Sequence, residues 1–422
     1  MCRLLVIVIA IGILCFRATS STARVEYLPG FEGPLPFYLE TGYVGVGENK
    51  DVQLFYYFIK SESNPDTDPL MLWISGGPGC SSITGLLYEI GPIKFEAVNY
   101  NGNIPKLVLT TYSWTKMASI IFVDIPVDTG FSYARTTGAS HSNDTQLSSH
   151  AYEFMRKWFE IHPEFISNSF YVGGDSYSGK PVPIITQLIS DGNDVGNKPY
   201  INLKGYILGN PSTFPEEDNY QIRFANGMGL ISDEHYECID EIEPPNILEP
   251  FCGGRVWLIK LPNNKLLFEH QPLSSSLCRT YGYELVYNWL NEDIVREALH
   301  IRKSTISEWI RCNDDLNFTT TAFDVRSYHL NMSNKGYRSL IYSGDHDMLI
   351  PHQSTQAWIK QLNFNVIEQW RTWKLNGQVV GYTESYSNMM TFATLKGGGH
   401  TAEYKPEECF IMFKRWISNQ PL

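Results

Sequence analysis

A chain of 422 residues with 43% hydrophobic and 18% charged side chains can bury a full globular core, which excludes a disordered or fibrous polypeptide. A formal charge of -12 argues against nucleic acid as a partner, because phosphate binding needs clustered Lys and Arg. Cys80, Cys238, Cys252, Cys278, Cys312 and Cys409 are scattered without a CxxC pair, so neither a zinc site nor any other metal or cofactor is expected.

The N-terminus reads as an export signal. Arg3 precedes an apolar run from Leu4 to Phe16, and Ala18, Ser20, Ser21 and Ala23 supply small residues for cleavage, giving a signal over about 1–23. The run is shorter than the roughly 20 residues of a membrane span. The mature chain, 24–422, is therefore expected to be a single domain in the secretory pathway, extracellular or vacuolar, with no membrane partner. Sequons at Asn143, Asn317 and Asn331 fit a glycoprotein, whereas Pro211 disqualifies Asn210.

Residues 35–60 alternate apolar and polar positions through Gly42, Gly45 and Gly47, the pattern of antiparallel strands with tight turns. Short apolar runs then alternate with helical stretches. Strands are expected at Leu70–Ile74, Ser119–Ile125, Phe170–Gly173, Lys204–Leu208, Leu340–Ser343 and Thr391–Lys396, with helices over Asp144–His162 and Val182–Ser190. This alternation predicts an α/β fold, a mostly parallel central sheet with helices on both faces. From about 211 to 311 the rhythm breaks, as an inserted lid would break it.

Four segments carry chemistry. Gly173-Gly174-Asp175-Ser176-Tyr177-Ser178-Gly179 lies between a strand and a helix, the context of a nucleophile elbow, with Ser178 in place of the last glycine of GxSxG. A serine hydroxyl needs a base. His400 ends the run Lys396-Gly397-Gly398-Gly399, whose glycines free the backbone to swing an imidazole over the sheet edge. Asp345 and Asp347 follow the strand ending at Gly344, and either could orient that imidazole. We favour Asp347, which precedes the apolar anchor Met348-Leu349-Ile350-Pro351. The order Ser, Asp, His is the one α/β-hydrolases use. Last, Ser75-Gly76-Gly77-Pro78-Gly79-Cys80 follows an early strand and can aim the Gly77 N–H at an oxyanion, with the Tyr177 N–H as second donor.

The blocks WISGGPGCSS, GGDSYSG, YSGDHDMLIP and KGGGHTAEYKP resemble the signature blocks of plant serine carboxypeptidase-like proteins, and the likeness extends from Tyr27 to Ser418. The resemblance implies an α/β-hydrolase fold with an inserted lid, glycosylation and disulfides. It implies Ser176, Asp347 and His400 as the triad, Gly77 and Tyr177 as oxyanion donors, and a Cys80–Cys312 disulfide. Cys252 and Cys278 are expected to pair within the lid. Relatives carry a longer, cysteine-containing piece after the stretch around Tyr236, which leaves Cys238 here without an obvious partner.

Two positions depart from the peptidases of that family. Ser75 stands where they have Asn, and Asp175 where they have Glu; these groups, with Gly76, bind the substrate. A hydroxyl lacks the paired geometry of an amide, and aspartate is one methylene shorter. The sequence resembles instead the branch that moves acyl groups from glucose esters to alcohols. The substrate is expected to be a small acyl ester, with a peptide in an acidic-pH carboxypeptidase as the alternative. A secreted binding protein without catalysis is the third class, which reactivity of Ser176 decides.

Overall fold

A computed structural model describes residues 22–96, 100–217, 219–231, 242–250, 258–260, 266–268, 279 and 282–422. Most of the expected export signal, the Cys238 junction and the expected Cys252–Cys278 pair lie outside them.

Eleven strands run in series across the main sheet: β1 (Thr22–Val25), β2 (Leu39–Val46), β3 (Val52–Ile59), β4 (Leu70–Ile74), β5 (Ser119–Val123), β6 (Phe170–Asp175), β7 (Leu203–Gly209), β8 (Arg338–Gly344), β9 (Val366–Leu375), β10 (Gln378–Tyr386) and β11 (Met390–Leu395). Their spatial order is β1-β2-β3-β5-β4-β6-β7-β8-β11-β10-β9, and Tyr133–Ala134 adds a short strand beside β3. The block from β5 to β11 is parallel throughout. Antiparallel strands extend it on both sides. This is the mixed, mostly parallel sheet of an α/β-hydrolase.

Eight α-helices are described: α1 (Asp144–Ile161), α2 (Pro181–Asp194), α3 (Asn219–Gly227), α4 (Gly282–Leu290), α5 (Asp293–Ala298), α6 (Arg326–Asn334), α7 (His352–Gln361) and α8 (Pro406–Ile417). Asn143 starts α1, its side-chain oxygen accepting the Gln146 N–H at 2.9 Å. Leu147, Ala151, Phe154, Met155 and Trp158 then recur on one face and pack on the sheet.

Successive strand residues feed opposite cores. Leu54, Tyr56 and Phe58 join the layer holding α1, α2 and α7, whereas Phe55, Tyr57 and Ile59 join the layer holding α4 and α8. On the second face Trp114 stacks on Phe413 at 4.2 Å and meets Trp73 edge-on at 5.6 Å. The expected half-polar alternation over 35–60 does not hold. Val52–Ile59 is buried at every position, because both faces of β3 are covered. The long hairpin of β9 and β10 was not expected; β9 is the sheet edge and exposes Ile367 and Trp370.

Among the fold's buried polar groups is His329 of α6, tilted against the Trp358 ring at 4.5 Å and hydrogen-bonded through Nδ1 to the Tyr206 hydroxyl at 2.8 Å. Burial pushes its imidazole down to about 3. Below the ordinary imidazole value of about 6.5, the unfolded chain takes up a proton that the folded chain refuses. Stability is therefore lost as pH falls from that value toward the folded one, by about 2 kcal/mol at pH 5. Denaturant melts at pH 7 and pH 5 test this: His329→Gln should lose about 2 kcal/mol less between those conditions than the unmodified chain.

Candidate active site

Strand β6 ends at Asp175, and the chain turns sharply into a 3-10 turn, Ser176–Gly179, before α2. Ser176 adopts φ +55°, the left-handed region that L-residues avoid. That turn lifts its hydroxyl off the sheet edge. Ser178 fits where a glycine is usual because its hydroxyl donates to the Ile74 carbonyl at 2.9 Å, closing the end of β4.

The loop after β11 passes through Gly397, Gly398 and Gly399 and delivers His400 to the same place. Its Nε2 lies 2.7 Å from Ser176 Oγ, and its Nδ1 lies 2.7 Å from Asp347 Oδ2. The His400 N–H is held by the Pro245 carbonyl at 2.7 Å. Burial opposes a charge on the imidazole, but the Asp347 carboxylate, with Asp175 and Glu403 beyond it, outweighs burial and raises it above the ordinary value. Asp347 is fully buried in the loop after β8. Asn210 Nδ2 donates to its Oδ2 at 2.7 Å, and the Leu349 N–H donates to its Oδ1 at 2.8 Å. Asp345 is used differently: its Oδ1 accepts the Gly397 N–H at 2.6 Å and pairs with His346. One aspartate touches the imidazole, and its neighbour pins the glycine loop that carries it.

The turn after β4 presses against this elbow. Any side chain at Gly76 would put its Cβ 2.6 Å from Ser176 Cβ and 2.9 Å from the Tyr177 nitrogen. Gly77 has φ +114°, and its N–H has no acceptor among the described residues. The Gly76 N–H donates to Asp175 Oδ1 at 3.2 Å. Cys80 is bonded to Cys312 in a disulfide. Beside it, Ser81 N–H donates to the Arg311 carbonyl at 2.8 Å and Asn313 N–H to the Gly79 carbonyl at 3.0 Å. Tyr177 turns its ring away and donates its hydroxyl to Asp144 Oδ1 at 2.7 Å.

A cavity of about 250 Å³ opens beside Ser176 and His400, lined also by Ser75, Gly76, Gly77 and Asp175. Thus eight of the residues singled out for catalysis or binding gather here: the three of the hydrogen-bonded chain, Gly77 and Tyr177, and Ser75, Gly76 and Asp175. Glu89 also lines the cavity and was not foreseen; its only trace in the sequence is a lone acid in the apolar stretch Leu86-Leu87-Tyr88-Glu89-Ile90. Burial and the Asp175 carboxylate push Glu89 well above the ordinary carboxyl range. Burial raises Asp175 as well, against bonds from Glu89 and the Gly76 N–H that favour its charge. The far wall carries Arg311 over the Tyr283 ring at 4.1 Å and Arg279 over Tyr404 at 4.4 Å. Among the described residues Ser75 Oγ, Glu89 Oε2 and Arg279 Nε are buried without a hydrogen-bond partner, and all three residues line the cavity.

The sequons lie away from this cavity. Asn317 and Asn331 are exposed, and Asn143 is half-buried. Among the described residues no group of His, Cys, Asp and Glu is arranged to hold a metal ion. The site can move a proton from Ser176 Oγ to His400 and offers backbone donors beside the oxygen that would attack. Gly76→Ala should slow fluorophosphonate labelling of the chain by roughly 100-fold through displacement of Ser176 by about 1 Å. Labelling rates near those of the unmodified chain would show that the turn does not constrain the elbow.

Residues 29–419 match the serine carboxypeptidase family. Serine carboxypeptidase-like 11 of Arabidopsis thaliana is 52% identical, over 95% of each chain. Serine carboxypeptidase-like 7 of the same plant is 51% identical, over 99% of this chain and 98% of its own. Among solved structures, Kex1(delta)p, a prohormone-processing carboxypeptidase from Saccharomyces cerevisiae, superposes with a TM-score of 0.75 over 94% of this chain and 95% of its own, at 18% identity. That similarity establishes the shared fold. The chain belongs to the plant serine carboxypeptidase-like proteins of the serine carboxypeptidase family.

Proposed function

We propose that this chain is a serine acyltransferase of the secretory pathway that takes an acyl group from a glucose ester and gives it to an alcohol. His400 accepts the Ser176 proton as Oγ attacks the ester carbonyl, and Asp347 holds the imidazole in orientation and stabilises its charge. The N–H groups of Gly77 and Tyr177 receive the oxyanion. The sugar leaves with the proton from His400, and an acyl-enzyme remains. The acceptor alcohol then gives its proton to His400 and attacks the acyl carbon, and the proton returns to Ser176. The Cys80–Cys312 disulfide fits an oxidising compartment.

The observation that carries the choice of substrate lies at Ser75 and Asp175. A peptide carboxylate would need side chains that grip it, yet Asp175 Oδ1 is taken by the Gly76 N–H, and Ser75 offers one short hydroxyl with no partner. The buried atoms of Ser75, Glu89 and Arg279 that lack a partner among the described residues suit a ligand rich in hydroxyls, which both donates and accepts. A second reading, a carboxypeptidase working at acidic pH, is favoured by Glu89, which lines the cavity with Asp175 and whose carboxyl burial and Asp175 push upward, toward a form that could receive a carboxylate.

Incubation with an aromatic acyl glucose ester and, separately, with a blocked dipeptide, followed by mass, separates the two. Acyl transfer to an alcohol is expected from the first and little release of amino acid from the second. Ser176→Ala should abolish turnover and fluorophosphonate labelling with the fold intact, a loss of several powers of ten. Asp347→Asn should cost far more activity than Asp345→Asn; the reverse order would show that the wrong carboxylate has been assigned to the base. Ser75→Asn with Asp175→Glu should raise peptidase activity, and the two changes should not be additive, because both line one cavity.

A further inference from the structure

Asp124 follows β5 and is fully buried, yet it touches neither the cavity nor the hydrogen-bonded chain of Ser176, His400 and Asp347. Strands β5 and β4 lie side by side and parallel, so the residue leaving β5 sits under the turn that leaves β4. Its carboxylate is met by that turn and by the loop that carries Phe131. Oδ1 accepts the Ser81 hydroxyl at 2.6 Å and the Ser82 N–H at 3.0 Å, and Oδ2 accepts the Phe131 N–H at 3.0 Å. The neighbouring contact continues inward. The Ser82 hydroxyl donates to the Val123 carbonyl at 2.6 Å and accepts the Ser75 N–H at 3.1 Å, at the head of Ser75-Gly76-Gly77. Room for the carboxylate is reserved: a Cβ at Gly130 would lie 2.2 Å from Asp124 Oδ2.

A buried carboxylate is costly unless charged donors or several N–H groups meet it. Burial pushes this one up to about 6, against the three donors that favour its charge. Such a group earns its place in a fold only through what it fixes, and the three bonds fix two loops, one of which carries Gly77.

We infer that Asp124 is a positioning residue for the oxyanion donor, holding Gly77 at the developing charge through Ser81, Ser82 and Ser75. The inference rests on the acyl-transfer reading of the site. In an oxyanion hole the donors matter in the transition state and little in the ground state, so a slackened turn lowers kcat and leaves KM. A general loss of packing would not divide in that way.

The test uses the full chain and two variants. Ser81→Ala removes one donor to Asp124 and leaves a small, apolar side chain; Asp124→Asn keeps shape and replaces one acceptor by a donor. For each, kcat and KM are measured with the acyl ester that the unmodified enzyme uses best. Affinity is also measured for an aryl boronic acid, whose tetrahedral adduct with Ser176 places an oxygen in the hole. Ser81→Ala should lose about tenfold in kcat and about tenfold in boronate affinity, with KM within about twofold, since loss of an entire donor costs roughly 100- to 1,000-fold. Asp124→Asn should lose more in both. A Ser81→Ala enzyme with unchanged kcat and boronate affinity, or with raised KM alone, overturns the inference, and it does so even if Asp124→Asn fails to fold. An unmodified chain that neither takes up fluorophosphonate at Ser176 nor binds the boronate overturns the acyl-transfer reading, and this inference with it.

Discussion

Parallel strands all end on the same edge of a sheet. In this chain β4, β5, β6, β7, β8 and β11 form one parallel block, and the loop leaving each of them reaches a single rim. Ser75–Gly77 leaves β4, Asp124 leaves β5, Ser176 leaves β6, Asn210 leaves β7, Asp347 follows β8 and His400 follows β11. Residues separated by more than 300 positions in sequence thus meet without any long excursion of the backbone. The backbone hydrogen bonds of the sheet fix strand spacing, and the spacing sets the separations at the rim.

Three buried aspartates repeat one solution to one problem. Asp124, Asp144 and Asp347 are each fully buried, and each is surrounded by N–H or O–H donors from loops that would otherwise be free. Asp144 takes the Tyr177 hydroxyl on one oxygen and the Ala322 N–H, at 2.9 Å, on the other. Asp347 takes Asn210, Leu349 and His400. Net gains from such bonds are small singly, while an unmet buried charge is costly, so every partner is held in place by the penalty for leaving. The rim loops are tied to one another by these bonds as well as by the apolar packing beneath them.

Much of this was legible in the sequence. Apolar runs such as Leu70–Ile74 read as strands because a strand covered on both faces is predominantly apolar. The glycines around Ser176 and before His400 announce turns that only small residues permit. The choice between Asp345 and Asp347 leaned on an apolar anchor, and the two carboxylates indeed have different neighbours. Asn210, Asp124 and Glu89 were illegible because their meaning is a contact: each is an ordinary polar residue until another segment is folded against it. The hairpin of β9 and β10 escaped because an edge strand with charged residues such as Glu368, Arg371 and Lys374 shows no apolar run.

The backbone of Ser176 carries a consequence of its own. At φ +55° a side chain bearing a Cβ sits in a conformation that costs on the order of 1 kcal/mol, and glycine or asparagine would occupy it more easily. The proposed nucleophile therefore stands at a position whose backbone favours a residue other than serine. A lineage that ceased to need the chemistry would drift toward a cooler-headed descendant, inert and more heat-tolerant, with every other part of the rim in place. A serine at this position works against the chain's own thermodynamics, a cost that only its proposed chemistry offsets.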